Sequence, residues 1–288
     1  MNCELLLPLS FFSFWTGACI ASFLNVVIWR VPRGESIVFP PSHCPKCNAA
    51  IRWYQNIPIL SWLALRGRCA NCKAPISPRY ILVEMLGGLL FLAAFWHVFR
   101  CGAMSILDVA AWIRVVVCWT WISLMIVGSM IDFDHKLLPD FVTVGGMILG
   151  VAVHGFFCFA YGPLIACETG FLWRPFLFDS VLGLVFGFGL LWLVRFLGSK
   201  AFKREAMGMG DVFLMGAVGA LFGPVAVLVT LILSSVFGSV VGLSMVALSK
   251  TKFGKFVEIP YGPYICLGCL CWMFYGPELV NWYCNLLR

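Results

Sequence analysis

The apolar stretches of this chain are too long to be packed in water. Residues 212–248 run for 37 positions without a charged side chain, and further apolar stretches lie at about 5–29, 81–99, 106–131, 141–161, 179–198 and 263–284. A helix needs roughly 20 apolar residues to cross the hydrocarbon of a bilayer. There the backbone has to satisfy its own polar groups, which makes such stretches helices. Within 212–248 the one break signal is "GALFGP" around Pro224, and dividing there gives 212–222 and 224–248. The reading is therefore an all-α, polytopic membrane protein with about eight transmembrane helices. The sixth is too short for a full span, so it is either shielded by protein or begins upstream of Asp211. A composition of 61% hydrophobic and 11% charged residues excludes an ordinary soluble domain.

The first stretch does not read as a cleaved leader. No basic segment precedes it, no A-x-A-like site closes it, and Asn25, Arg30 and Arg33 follow directly. A retained helix over 1–30 is expected. Orientation follows from the basic residues. Eight of the twenty Lys and Arg fall between Arg30 and Arg79, one (Lys136) in 132–140, three (Lys200, Lys203, Arg204) in 199–210 and three (Lys250, Lys252, Lys255) in 249–258. With eight spans these segments share one side, which the positive-inside rule makes cytoplasmic. The net charge of +7 thus expresses topology and attraction to anionic lipid, and no nucleic-acid surface is visible.

The main polar segment, from about residue 31 to 80, carries "CPKC" at Cys44–Cys47 and "CANC" at Cys69–Cys72, separated by 21 residues. Two C-x2-C knuckles bring four thiolates to a tetrahedral zinc site, and a closed four-sulfur site leaves no open position for chemistry. Its role is to fold a loop too small to build its own core. Disulfides fit poorly in a reducing cytoplasm. Cys266, Cys269 and Cys271 lie within a span and read as buried thiols. Cys101 and Cys167 could pair on the outer side.

Asp132, in "MIDFDHKLLPD", ends the third span, and Asp211, in "MGMGD", begins the sixth. The topology gives them one depth, the cytoplasmic boundary of the hydrocarbon. Ionisable groups there are costly and point to function. Two neighbouring carboxylates share a proton, so that one activates water while the other polarises a carbonyl, which is aspartic protease chemistry. Gly208 and Gly210 permit close approach of a peptide backbone. Asp134 and Asp140 are further candidates, the latter as the cap of the fourth span. A proton-coupled transporter, in which the two acids relay protons, is the alternative from another class. It calls for acids nearer mid-span and inverted repeats.

Taken together, "PPSHCPKCNAAIRWYQNIPILSWLALRGRCANCKAPISPRYILVE" (40–84), "IDFDHKLLPD" (131–140), "GMGDVFLMGAVGALFG" (208–223) and "IPYGPYICLG" (259–268) resemble the prepilin peptidases, aspartic proteases of the bacterial inner membrane. The resemblance implies that Asp132 and Asp211 are the catalytic pair. It implies cleavage of basic leaders from type IV prepilins or pseudopilins at the cytoplasmic face. For a chain with the full cysteine loop it also implies N-methylation of the new terminus from S-adenosylmethionine. A peptidase without the methyltransferase activity is the narrower alternative. The implied division is a first transmembrane helix at 1–30, a cytoplasmic four-cysteine zinc loop associated with methyl transfer at 31–80, and a transmembrane aspartic peptidase core at 81–288. Glu35, Asn56, Arg79, Tyr80 and Glu84 match the family's loop and are candidates for the methyl-donor site; no G-x-G-x-x-G fingerprint is present. Residues 162–178 make an outer loop longer than the resemblance leads one to expect. Substrates and the lipid bilayer are the implied partners, nucleic acid is not, and the oligomeric state is open.

Overall fold

The computed structural model describes residues 3–101, 106–161, 177–203, 205, 207–248 and 260–286. The extended outer loop, the Cys101–Cys167 pair and the basic run at 249–258 lie outside them or depend on residues that do. Every regular element described is helical: α1 (Cys3–Arg30), a short α2 (Leu60–Ala64), α3 (Arg79–Trp96), α4 (Val109–His135), α5 (Asp140–Tyr161), α6 (Leu177–Phe202), α7 (Met209–Leu248) and α8 (Gly262–Leu286). Six of these, α1 and α3 to α7, are long and apolar enough to cross a bilayer. The protein is thus a multi-pass membrane protein. The eighth expected stretch is present as α8, the least apolar of the long helices, with Pro277 in its interior.

Helix α7 contains two of the expected stretches. At Gly223 the backbone leaves the helix (φ 82°, ψ 179°), and Pro224 follows, so 209–222 and 224–248 are separate helical segments. A residue in this conformation carries no side chain without strain. The first segment is about 21 Å long at 1.5 Å per residue, short of the roughly 30 Å hydrocarbon core. It is shielded by protein: Val212, Leu214, Met215, Ala217, Val218, Ala220 and Leu221 are all buried. Both expectations for this segment are met: it is short and shielded, and it begins at Met209, two residues upstream of Asp211.

The chain divides into two compact units, Met1–Val127 and Gly128–Arg288. In the first, α1 and α3 pack almost backbone to backbone. A Cβ added at Gly17 would stand 2.6 Å from the Gly87 carbonyl oxygen, and one at Gly87 would stand 2.5 Å from Ala21 Cβ. Without a hydrophobic drive between helices in lipid, such close approach supplies the van der Waals contact that holds them. The first part of α4 joins them through Trp119, which stacks on Phe91 at 5.0 Å and donates from Nε1 to the Phe91 carbonyl at 3.0 Å.

In the second unit α6 and α7 are equally close. Gly183 and Gly187, four residues apart on α6, make the approach: an added Cβ at Gly183 would collide with the Gly219 carbonyl, and one at Gly187 would stand 2.5 Å from the Met215 carbonyl. The break in α7 explains one polar contact at this crossing. Pro224 has no N–H, so the Ala220 carbonyl four residues earlier loses its helical donor. Ser180 Oγ of α6 supplies one at 2.7 Å, in a buried position. Ser180→Ala strands that carbonyl and is expected to cost about 1–3 kcal/mol, read as a lowered Tm in detergent. Ser180→Thr, which keeps the hydroxyl, is expected to lose less.

Candidate active site and metal centre

The second unit brings Asp132 and Asp211 together. Asp132 lies in the last turn of α4 and Asp211 in the first turn of α7, and both are largely buried, at 6% and 8% exposure. Their carboxyl groups are close enough to interact electrostatically. The last turn of a helix presents unpaired carbonyls, which do not suit a carboxylate. The donor comes instead from α8, where the Gly262 amide, at the first residue of that helix, donates to Asp132 Oδ2 at 2.9 Å in a buried hydrogen bond.

Glycine is required at this contact because a Cβ at Gly262 would stand 2.6 Å from Asp132 Oδ2. The same crowding surrounds Leu138. A Cβ at Gly210 would stand 2.8 Å from Leu138 Cβ, and one at Gly262 would stand 3.4 Å from Leu138 Cδ1. The two glycines therefore abut one leucine, which lies between the segments carrying the acids. Asp134 and Asp140 are exposed; Asp140 opens α5, where its charge complements the helix N-terminus.

Two positioning residues were not singled out from the sequence. Tyr261 precedes Gly262, and its hydroxyl is 2.7 Å from Ser234 Oγ, a buried hydroxyl on the second segment of α7, and 3.4 Å from Ser235 Oγ. The start of α8 is tied to α7 in this way. Arg195 of α6 donates from Nε to the Met207 carbonyl at 2.9 Å and pairs with Glu205 at 3.2 Å, holding the turn that leads into Gly208–Asp211. The usable hint for the first was Pro263 immediately after a glycine, a pattern of helix starts. For Arg195 the hint was a cation at the end of an apolar span.

The four cysteines of the first unit converge. Their sulfurs all lie within 4.8 Å of one another, and Cys44 Sγ is 3.9 Å from Cys72 Sγ. Zinc–sulfur bonds of about 2.3 Å in a tetrahedron set sulfur–sulfur edges of about 3.8 Å, close to the Cys44–Cys72 separation. The knuckles are structural repeats. Cys44 N donates to the Ala49 carbonyl and Cys69 N to the Ala74 carbonyl, and each knuckle turns through a left-handed residue, Asn48 (φ 55°) or Lys73 (φ 59°).

Knuckle amides favour thiolates. Those of Lys46 and Cys47 lower the Cys44 thiol from its ordinary value, that of Ala49 lowers Cys47, and those of Cys72 and Asn71 lower Cys69. At Cys72 the Ala74 amide acts the same way, but desolvation and the other three sulfurs carry this thiol up to about 11. Gathering a fourth negative charge is unfavourable until a cation offsets it. The residues present therefore fit a metal ion.

Of the five residues matched to a methyl-donor site, Asn56 lines a cavity beside α1. Glu84 is buried, and its carboxylate accepts from the Ile59 amide. Glu35 and Tyr80 are exposed, Arg79 is partly so, and the Tyr80 carbonyl accepts from Asn25 Nδ2.

Comparison with known proteins agrees with this arrangement. The bacterial peptidase A24 N-terminal domain matches residues 15–98, and the type IV leader peptidase family matches 119–243. A prepilin leader peptidase/N-methyltransferase from Stutzerimonas stutzeri is 34% identical over 298 residues, covering 94% of this chain and 92% of the relative. The chain belongs to the type IV leader peptidase family. A relative of the same description from Myxococcus xanthus is 41% identical over 81% of this chain, which spans 62% of that longer protein. The type 4 prepilin-like proteins leader peptide-processing enzyme of Escherichia coli is 34% identical over 88% of each chain. No solved structure matches the chain.

Purified without chelator, this family member is expected to carry about one divalent metal per chain, measured by elemental analysis of the protein peak. Cys72→Ser should lower that occupancy at least tenfold when the protein is dialysed against a competing chelator.

Proposed function

We propose that this chain is a membrane aspartic endopeptidase that removes the basic leader of type IV prepilins or pseudopilins, with Asp132 and Asp211 as its catalytic pair. The carrying observation is the Asp132–Gly262 hydrogen bond beside a second buried carboxylate. A backbone amide can only donate, so it favours an acceptor oxygen on Asp132, and the single proton shared by the pair sits with Asp211. Asp132 then takes a proton from water as that water attacks the scissile carbonyl. Asp211 donates to the carbonyl oxygen as the carbon becomes tetrahedral. Collapse of the tetrahedral centre breaks the C–N bond, and the amine leaves with a proton from the pair.

The reaction side is the cytoplasmic face of the bacterial inner membrane, where the basic loops gather. A basic leader is drawn to the same surface by anionic headgroups, while the apolar segment behind it partitions into lipid. That places the junction between the two at the depth of the aspartates. Prepilin leader peptidases that are also N-methyltransferases are this chain's relatives, and the same protein here methylates the new amine. S-adenosylmethionine, when bound, supplies the methyl group. Zinc, held by Cys44, Cys47, Cys69 and Cys72, folds the loop and takes no part in either reaction.

Asp132→Asn and Asp211→Asn are each expected to lower cleavage of a prepilin-like peptide by roughly 1,000-fold or more, with insertion and Tm unchanged. Retained cleavage in either purified variant removes that residue from the mechanism. Tyr261→Phe releases α8 from Ser234 without touching the acids. It should lower kcat on the order of tenfold, with KM and Tm close to wild type, because only the aim of the Gly262 amide is disturbed.

A further inference from the structure

The loop between α1 and α3 exposes side chains that a loop facing only water has no reason to carry. Within 53–64 the rings of Trp53 (81% exposed) and Tyr54 and the aliphatic chains of Ile57, Leu60 and Leu63 are all uncovered. Single surface hydrophobics are ordinary, but a group this dense marks a surface that meets something apolar.

The group is held as one piece. Ser61 Oγ lies 2.7 Å from the Ile57 carbonyl and 3.2 Å from the Tyr54 carbonyl, within donating reach of both, which ties the helical turn Trp53–Asn56 to α2. Leu60 and Leu63, three residues apart, share one face of α2. Trp62 turns back over Gly67, where an added Cβ would stand 2.8 Å from its ring.

The level of this piece is set from α1 and α3. The Ile59 amide, at the entry to α2, donates to the buried Glu84 carboxylate at 2.7 Å. Glu84 lies about 7.5 Å along α3 from Arg79, inside the stretch Arg79–Phe99 that is long and apolar enough to cross a bilayer. Ile59 has a positive φ (φ 63°, ψ −55°), a strained turn for a β-branched residue, and the carboxylate holds it there. On the α1 side, buried Arg30 donates from Nη1 to the Ser36 carbonyl at 2.9 Å and from Nη2 to the Pro40 carbonyl at 2.7 Å. The segment so held shares a cavity with Phe23 and Val26, which lie about 10 and 6 Å along α1 from Arg30. Both halves of the loop are thus drawn down beside the spans. Trp29, half exposed in the last turn of α1 with the Arg33 guanidinium 3.7 Å over its ring, marks the headgroup level, where tryptophan collects.

Charge identifies what lies against the loop. Between residues 30 and 80 eight Lys and Arg stand against a single acid, Glu35. Four thiolates around a divalent cation do not reverse that balance. Arg66 and Arg68, both exposed, follow α2 directly.

We propose that 53–64 is an interfacial wedge: Trp53, Leu60 and Leu63 insert into the leaflet at the loop ends of α1 and α3, and Arg66 and Arg68 engage its anionic headgroups. The loop that carries the metal cluster then lies along the membrane, and anionic lipid is a partner of the protein. This holds whichever reaction the loop serves.

The test places the full chain in nanodiscs of phosphatidylcholine, with or without an equal share of phosphatidylglycerol. Each disc carries a phospholipid bearing a diazirine at the glycerol end of one acyl chain, and labelled peptides are mapped by mass spectrometry. Labelling of the 53–64 peptide is expected within about threefold of that of the α6 peptide holding Phe196 and Leu197, which are exposed on a span. Phosphatidylglycerol should raise it about threefold, and Arg66→Gln with Arg68→Gln, or high salt, should remove that increment. Trp53→Ser with Leu63→Ser should lower it about tenfold while metal content and α6 labelling stay unchanged.

The wild type decides insertion by itself: a labelled α6 peptide beside an unlabelled 53–64 peptide overturns the wedge. Labelling indifferent to phosphatidylglycerol, salt and the arginine variants overturns the anionic partner. Labelling lost when two chains share a disc, or when a prepilin-like peptide is added, assigns the surface to a second copy or to substrate and overturns the lipid assignment.

Discussion

The hydrogen bond from the Gly262 amide to Asp132 is the point on which the second unit turns. It joins the end of α4 to the start of α8 and gives a buried carboxylate the donor that its own helix cannot supply. Once that bond is required, much of the neighbourhood follows. Residue 262 must be glycine because a Cβ has no room beside Asp132 Oδ2. The residue before it needs an anchor, and Tyr261 has one in the Ser234 hydroxyl. The helix that carries Asp211 enters beside Leu138, which Gly210 and Gly262 both touch.

Much of this architecture was legible in the sequence because lipid leaves the backbone few options. Apolar length alone located the helices, and "GP" at 223–224 located the break in α7, since proline removes a helical donor whatever surrounds it. The depth shared by Asp132 and Asp211 came from counting spans, and the cysteine cluster from the spacing of two short knuckles. Other features depend on long-range contacts, which periodicity does not report. Nothing local says that Ser180 will meet the Ala220 carbonyl, forty positions away, or that the amide reaching Asp132 will come from residue 262. Among the five loop residues matched to a methyl-donor site, sequence gave no means to separate Asn56, which faces the cavity, from Glu84, which stands behind it.

The two units solve the problem of holding shape by different means. In the second, glycines let α6 and α7 approach until backbone meets backbone, and a break in one helix is repaired by a serine from its neighbour. Side-chain volume is removed where rigidity is wanted. In the first unit, α1 and α3 use the same device at Gly17 and Gly87, but the loop between them cannot, because its regular pieces, such as α2, are single turns too short to pack along one another.

That loop instead depends on charge. Four sulfurs fix the knuckles around a cation, while Arg30 and Glu84 fix the intervening segments through their carbonyls and an amide. Each of these contacts is directional, so together they specify a shape that a small apolar core would leave loose. The strained turn at Ile59 is then a consequence of order imposed from outside the segment, and it falls beside the cavity, where a loop must hold still to present a side chain. A loop built only to connect α1 with α3 has no need of two buried charges and a strained β-branched residue.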